Sequence, residues 1–96
     1  MTLYVITGMD RPGTADLRLA TREAHLAFVR DQTLVRFRVG GPFLSPDGRM
    51  IGSMIIVEAD DPAAVTEFVN NDPYGKAGLL ERTKIRPWKV TVGTLG

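Results

Sequence analysis

Apolar residues cluster in segments whose spacing predicts four strands and two helices. Residues 3–8 and 50–58 are apolar at consecutive positions, which is typical of strands covered on both faces. Residues 34–44 alternate through Val35, Phe37 and Val39 and predict a third strand. The last strand is expected over residues 82–92, and Pro87 places it at a sheet edge because proline lacks an N–H donor.

Two segments have helical spacing. The first covers roughly residues 14–33, with Thr14 or Asp16 as its cap. We expect five residues to face the core: Leu17, Ala20, Ala24, Ala27 and Phe28. A neighbouring stripe carries Arg18, Arg22, His25 and Val29. The second helix is expected to begin at the Asp61-Pro62 pair, an N-cap followed by a proline suited to the first helical position.

This order of elements predicts an α+β fold with a ferredoxin-like βαββαβ subunit and an antiparallel sheet. Both helices are expected on one face of the sheet. Leaving the apolar side chains of the other face in water would cost about 1.5–3 kcal/mol each. We therefore expect a homodimer, a dimeric α/β barrel, although a flat apolar ligand could cover part of the same face. The gap between the two sheets is expected to house the imidazole of His25.

Length and composition narrow the class of protein. The 96 residues predict a single domain over 1–96, with residues 93–96 as a loose tail. Net charge is +1 and the signs are interspersed, so we expect no nucleic-acid partner. The basic residues of the last strand are explained by protection of a sheet edge. The chain has no cysteine, no basic leader and no long apolar run, which favours a cytoplasmic protein and no membrane partner.

His25 is the only histidine, and two arginines precede it on its own stripe. Nearby cations favour the neutral imidazole, which can act as a general acid or base. The alternative is a histidine at the edge of the core that makes one backbone hydrogen bond. A single histidine without cysteine gives no metal-ligand set, and no glycine-rich nucleotide loop follows the first strand. We therefore expect neither a metal nor a cofactor.

Several segments together resemble the YciI-like (YCII-related) family over residues 3 to about 90. They are Leu3–Ile6, Arg18–Leu26, Gly41-Pro42, Gly52-Ser53, Asp72–Leu79 and Ile85–Trp88. The resemblance implies a dimeric α/β barrel and an active site centred on His25 and Asp72. One branch of the family that the chain resembles removes chloride from a chlorinated hydroxyquinol without metal or organic cofactor.

Each remaining candidate residue has a structural alternative. Asp72 could cap the turn that follows it, a role compatible with a place in the site. Asp10 and Arg18 are expected as polar contacts at the pocket mouth. The alternative for Asp10 is turn formation, and the alternative for Arg18 is a solvated position on the helix face. Ser53 could line the pocket or be an ordinary strand serine, and Tyr74 could close the pocket or serve packing alone.

The favoured hypothesis is a small cofactor-independent enzyme of lyase, dehydrochlorinase or isomerase type acting on a small cyclic or aromatic metabolite. A His-Asp pair fixes the imidazole tautomer and raises its basicity, which suits proton transfer. The rival is a non-catalytic dimeric module that binds a small ligand or acts as an accessory subunit, because no strong nucleophile is present.

Overall fold

The computed structural model describes residues 1–95 as a four-stranded sheet with helices on one face. None of the helices in these residues is long and apolar enough to cross a membrane. Gly96, the last residue of the expected tail, lies outside the described residues. The elements in chain order are β1 (Thr2–Asp10), α1 (Ala15–Asp31), β2 (Arg36–Leu44), β3 (Met50–Ala59), α2 (Pro62–Asn71), α3 (Pro73–Lys76) and β4 (Leu80–Trp88).

The sheet order is β2-β3-β1-β4, and all three pairings are antiparallel. This is the predicted ferredoxin-like arrangement, with the short α3 added before β4. The predicted hairpin of β2 and β3 is present. Pro87 lies on β4, which is an edge strand as predicted.

The core lies between the sheet and the helices. Paired residues of two strands point to the same side, so Tyr4 with Val57 and Ile6 with Ile55 form the helix-facing surface. Phe68 of α2 packs on this surface and is 1% exposed. α2 is held at its start as predicted, because the Asp61 carboxylate accepts a hydrogen bond from the Ala63 N–H at 2.8 Å.

The inward face of α1 differs from the prediction. Ala20 and Ala24 are exposed, although their spacing placed them in the core. Arg18 is buried instead, and His25 is largely covered. Relative to the prediction, the helix is rotated about its axis, so that the stripe of Arg18, Arg22, His25 and Val29 (the polar stripe) faces inward. Its buried polar groups find partners on other elements, described below. Periodicity within one helix carries no information about such partners.

Two element ends also differ. Thr14 precedes α1, but its hydroxyl donates to the Arg11 carbonyl and caps no helical N–H. β4 covers Leu80–Trp88 rather than residues 82–92, because its register with β1 ends where Leu3 pairs with Trp88.

The second face of the sheet is covered by neither helix. Val5 and Ile56 are paired on this face, and Val39 of β2 lies beside Ile56 and is 44% exposed. We call this surface the open face. Its apolar part around Val5 and Val39 agrees with the sequence pattern of β1 and β2, whereas Arg86, paired with Val5, and Glu58, paired with Leu3, place charges on the same face.

Candidate active site

A cavity of about 180 Å³ lies between α1 and the helix-facing side of β2 and β3. All four residues of the polar stripe of α1 line it, namely Arg18, Arg22, His25 and Val29. Its opposite wall includes Phe37 of β2 and Ile55 of β3. The imidazole therefore lies on the helix side of the sheet, and the expectation that it occupies the gap between two sheets is wrong. The reason is that α1 covers one face of the sheet, so the sheet itself separates His25 from any second copy on the other face.

His25 and Asp72 form a close pair. Nδ1 of His25 lies 2.8 Å from Oδ1 of Asp72, and the two side chains are 12% and 9% exposed. Oδ1 also accepts a hydrogen bond from the Tyr74 N–H at 3.0 Å. An acceptor role suits a carboxylate, so Nδ1 carries the proton of this contact and Nε2 takes no part in it.

Asp72 occupies the junction of two helices. Its backbone N–H donates to the Phe68 and Val69 carbonyls at the end of α2, and its carboxylate caps the start of α3. The carboxylate is therefore held between the end of α2 and the four-residue α3, which begins with the conformationally restricted Pro73. Capping and contact with His25 therefore coexist in one side chain.

Arg18 belongs to a second buried polar cluster. Its Nε donates to Oδ2 of Asp10 at 2.6 Å and its Nη2 donates to Oδ1 at 2.8 Å, a two-pronged ion pair. Nη2 also donates to Oγ of Ser53 at 2.8 Å. Hydrogen bonding to Asp10 raises the pKa of Arg18 above its usual value, so the guanidinium stays charged. The Ser53 hydroxyl accepts this bond and keeps its own proton for another acceptor.

Tyr74 joins the two clusters through its ring. The His25 imidazole stacks on it with centroids 4.1 Å apart and planes inclined by 14°. The guanidinium carbon of Arg18 lies 4.7 Å from the same ring centroid. Burial raises the pKa of the Tyr74 phenol, opposed by the positive charge of Arg18, so the phenol is neutral at physiological pH.

A smaller cavity of about 30 Å³ lies behind these side chains. Asp72 lines this cavity and not the larger one, whereas Ser53 lines both. Because Asp72 stands on the far side of the imidazole, His25 is the member of the pair that a ligand in the larger cavity meets.

Within residues 1–95 no group of three or more His, Asp or Glu side chains is placed to hold a metal ion. The groups brought together are an imidazole, two guanidinium groups, a phenol and a hydroxyl. This set can transfer a proton at His25 and stabilise negative charge on a bound ligand.

The structure brings the candidate residues into one region, but only some of them line the larger cavity. His25, Arg18, Ser53 and Tyr74 line the larger cavity, while Asp10 stands behind Arg18 and does not line it. Arg22 also lines the cavity; the sequence placed it beside His25 as a nearby cation but predicted no contact between it and a ligand. Its position three residues before His25, on the same helical stripe, is the signal that could have identified it.

Fold and site define a ferredoxin-like α+β protein with a His-Asp pair beside a small cavity. The family model of the YCII-related domain matches residues 2–89 of this chain. The chain belongs to the YCII-related family, as its sequence motifs predict.

Curated relatives match over almost their full length. An uncharacterized protein of Haemophilus influenzae is 32% identical over 93 residues, covering 90% of this chain and 95% of the relative. The protein YciI of Escherichia coli O6:H1 is 31% identical over 96 residues, covering 91% of this chain and 96% of the relative.

Solved structures share the fold. The 5-chloro-2-hydroxyhydroquinone dehydrochlorinase TftG of Burkholderia phenoliruptrix AC1100, in complex with 2,5-dihydroxybenzoquinone, is 39% identical. It superposes with a TM-score of 0.81 over 91% of this chain and 93% of that one. An antibiotic biosynthesis monooxygenase is 12% identical with a TM-score of 0.61, over 96% of this chain and 100% of that one, a likeness of fold alone.

Proposed function

We propose that this protein is a small cofactor-independent enzyme that performs acid-base chemistry on a cyclic, hydroxyl-bearing metabolite. The observation that carries the proposal is the 2.8 Å contact between His25 Nδ1 and Asp72 Oδ1 at the wall of a cavity. The 39% identity to a dehydrochlorinase supports an enzyme-like role and an elimination reaction.

In the proposed reaction, Nε2 of His25 removes a proton from a ring hydroxyl or ring carbon. The ring takes up a proton at the carbon that bears the leaving group, as one ring hydroxyl becomes a carbonyl and that carbon becomes tetrahedral. Loss of a proton from a second ring hydroxyl then drives an electron pair through the ring and expels the leaving group, such as chloride, so the net loss is one proton and one anion. Asp72 holds the Nδ1 proton, fixes the tautomer and stabilises the imidazolium that forms. The proton then passes from Nε2 to solvent, which restores the neutral imidazole.

The cavity limits the size of the substrate. Its volume of about 180 Å³ is below the ~300–1,000 Å³ of sites that hold drug-sized ligands, and suits a single substituted ring. Arg18 lines it as a charged donor whose orientation is fixed by Asp10. We assign Asp10 to positioning Arg18 rather than to contact with substrate.

We further propose that two copies associate through the open face. The support is the exposed apolar side chain of Val39 on this face and the small size of the chain, which buries a modest fraction of its surface alone. A cysteine-free chain suits a reducing cytoplasm, where we place this enzyme.

The proposal is tested by release of chloride from 5-chloro-2-hydroxyhydroquinone in metal-free buffer. We expect turnover above the spontaneous rate for the native protein. His25→Gln should lower the rate by about 10²–10⁴-fold, the usual contribution of a positioned acid-base group. Asp72→Asn should lower the rate as well, because it removes the carboxylate that stabilises the imidazolium.

A matched control uses Arg30→Gln, an exposed change on the same helix outside the cavity, which should leave the rate unchanged. Circular dichroism of each variant separates loss of chemistry from loss of fold. A folded His25→Gln protein with the native rate would contradict the proposal. A native protein without activity on this compound, but with saturable binding of it, would favour the non-catalytic binding module.

A further inference from the structure

The larger cavity has an unbalanced charge. Two guanidinium groups, those of Arg18 and Arg22, line it, and no Asp or Glu among the described residues does so. Two carboxylates contact lining residues without lining the cavity themselves: Asp10 contacts Arg18, and Asp72 contacts His25. A concave site lined by one sign of charge concentrates its field on whatever enters.

The two arginines differ in how far their charge is neutralised. Two nitrogens of Arg18 donate hydrogen bonds to Asp10, so the charge of Arg18 is largely balanced by that carboxylate. Arg22 is exposed, and no hydrogen bond or ion pair within residues 1–95 occupies its guanidinium. One full positive charge and a free planar fork are therefore available at the cavity.

Beyond the arginines, His25, Ser53 and Tyr74, the lining is apolar or glycine. Leu26 and Val29 of α1 face Phe37, Pro42 and Ile55 of the sheet across the cavity. Apolar walls with a few placed polar groups are typical of sites for a small organic ring. A ring seated between these walls places its substituents near His25 and the arginine stripe.

We infer that the cavity selects a cyclic monoanion, whose carboxylate or phenolate oxygen binds Arg22 while its ring lies against Phe37 and Ile55. Arg22 is then the residue that determines specificity for charge. The inference rests on the proposed function for the identity of the site, and adds the substrate class and the residue that selects it.

The test compares benzoate with benzamide, two planar rings of nearly equal shape that differ in charge. Binding is followed by NMR titration of the side-chain signals of His25, the only histidine. At low ionic strength we expect benzoate to bind about tenfold more tightly than benzamide, in line with a charge-assisted hydrogen bond. The preference should shrink as salt is added, because Arg22 is exposed.

The decisive variant is Arg22→Gln, which should reduce the benzoate preference to within about twofold, while Arg22→Lys should keep part of it because the charge remains. Arg30→Gln changes the net charge equally and should keep the full preference. Phenol at pH values above and below its titration tests whether a phenolate is accepted like a carboxylate.

Equal affinity for the two probes, a preference that survives Arg22→Gln, or no shift of the His25 signals with either probe would overturn the inference. Binding is measured without turnover, so the result stands apart from the chloride-release assay. His25→Gln should lower the rate of chloride release as stated above and leave the benzoate preference in place, with backbone amide signals of α1 as the readout. Failure of catalysis and failure of anion selection are thereby distinguishable.

Discussion

Single side chains at this site serve stability and chemistry together. Arg18 and Asp10 are 6% and 7% exposed and would each be costly to bury alone. Joined in a two-pronged pair, they also fix a charged donor beside the cavity. The position of this donor therefore depends on a residue that the ligand does not contact.

Asp10→Ala leaves the Arg18 guanidinium buried without its counter-charge. We expect a loss of about 3–5 kcal/mol in the free energy of unfolding, the usual cost of removing one partner of a buried pair. Urea unfolding followed by circular dichroism measures it. The exposed pair Arg30–Asp31 provides the control, and Asp31→Ala should change stability by less than about 1 kcal/mol. Equal effects of the two changes would contradict the burial argument.

Titration of Tyr74 makes the free energy of unfolding depend on pH in the alkaline range. Burial raises the pKa of its phenol, whereas the phenol of an unfolded chain titrates near 10. The folded state holds this proton more tightly, so its stabilising effect is complete below about pH 10 and is lost as pH rises through the raised value. Tyr74→Phe should flatten the decline of unfolding free energy across this range. Parallel declines in urea titrations of the two proteins would refute this linkage.

Residue identity could be predicted at the site better than residue position. The sequence indicated His25, Arg18, Ser53 and Tyr74, and all four line the cavity. The sequence could not place Asp10 behind Arg18, because this contact joins the end of β1 to α1. It depends on which side of α1 faces the sheet, and the spacing within the helix did not predict that side correctly. Arg22 was expected only to favour a neutral imidazole, because helical spacing alone does not show that its guanidinium reaches a cavity.

At the level of elements, the alternation of strands and helices was predictable because each element carries its own spacing and caps. Strand register and helix rotation were not, since both depend on close approaches between distant parts of the chain. Gly52 marks one such approach. A Cβ atom there would lie 2.6 Å from the Gly8 carbonyl oxygen on β1.

Gly52→Ala should therefore push β1 and β3 apart. Backbone atoms cannot yield as a flexible side chain does, and we expect a loss of about 1–3 kcal/mol, as for other overpacked sites. Gly41→Ala on neighbouring β2 is the control, because nothing lies within 4 Å of its Cβ position. Thermal unfolding of both variants measures the difference. A Gly52→Ala protein as stable as the Gly41→Ala protein would show that the strands tolerate the added atom.

For the whole molecule, the two faces of the sheet have different tasks. The helix-facing side holds both the core and the larger cavity, so neither requires a second copy in order to form. The open face carries apolar side chains without any role in the cavity wall described for His25. Association through it would add stability to a small chain while leaving the cavity on the outer side of each sheet.

The dimer is testable by changing one exposed residue on each side of the molecule. Val39→Glu places a charge on the open face, where desolvation on association would oppose it, and should convert a particle of twice 10.5 kDa into one of 10.5 kDa. Leu19→Glu puts the same charge on the outer side of α1, at a residue that is 72% exposed, and should leave the mass doubled. Light scattering at micromolar concentration reads both. A native protein of single-chain mass, or equal dissociation by both variants, would show that the open face is not the dimer interface.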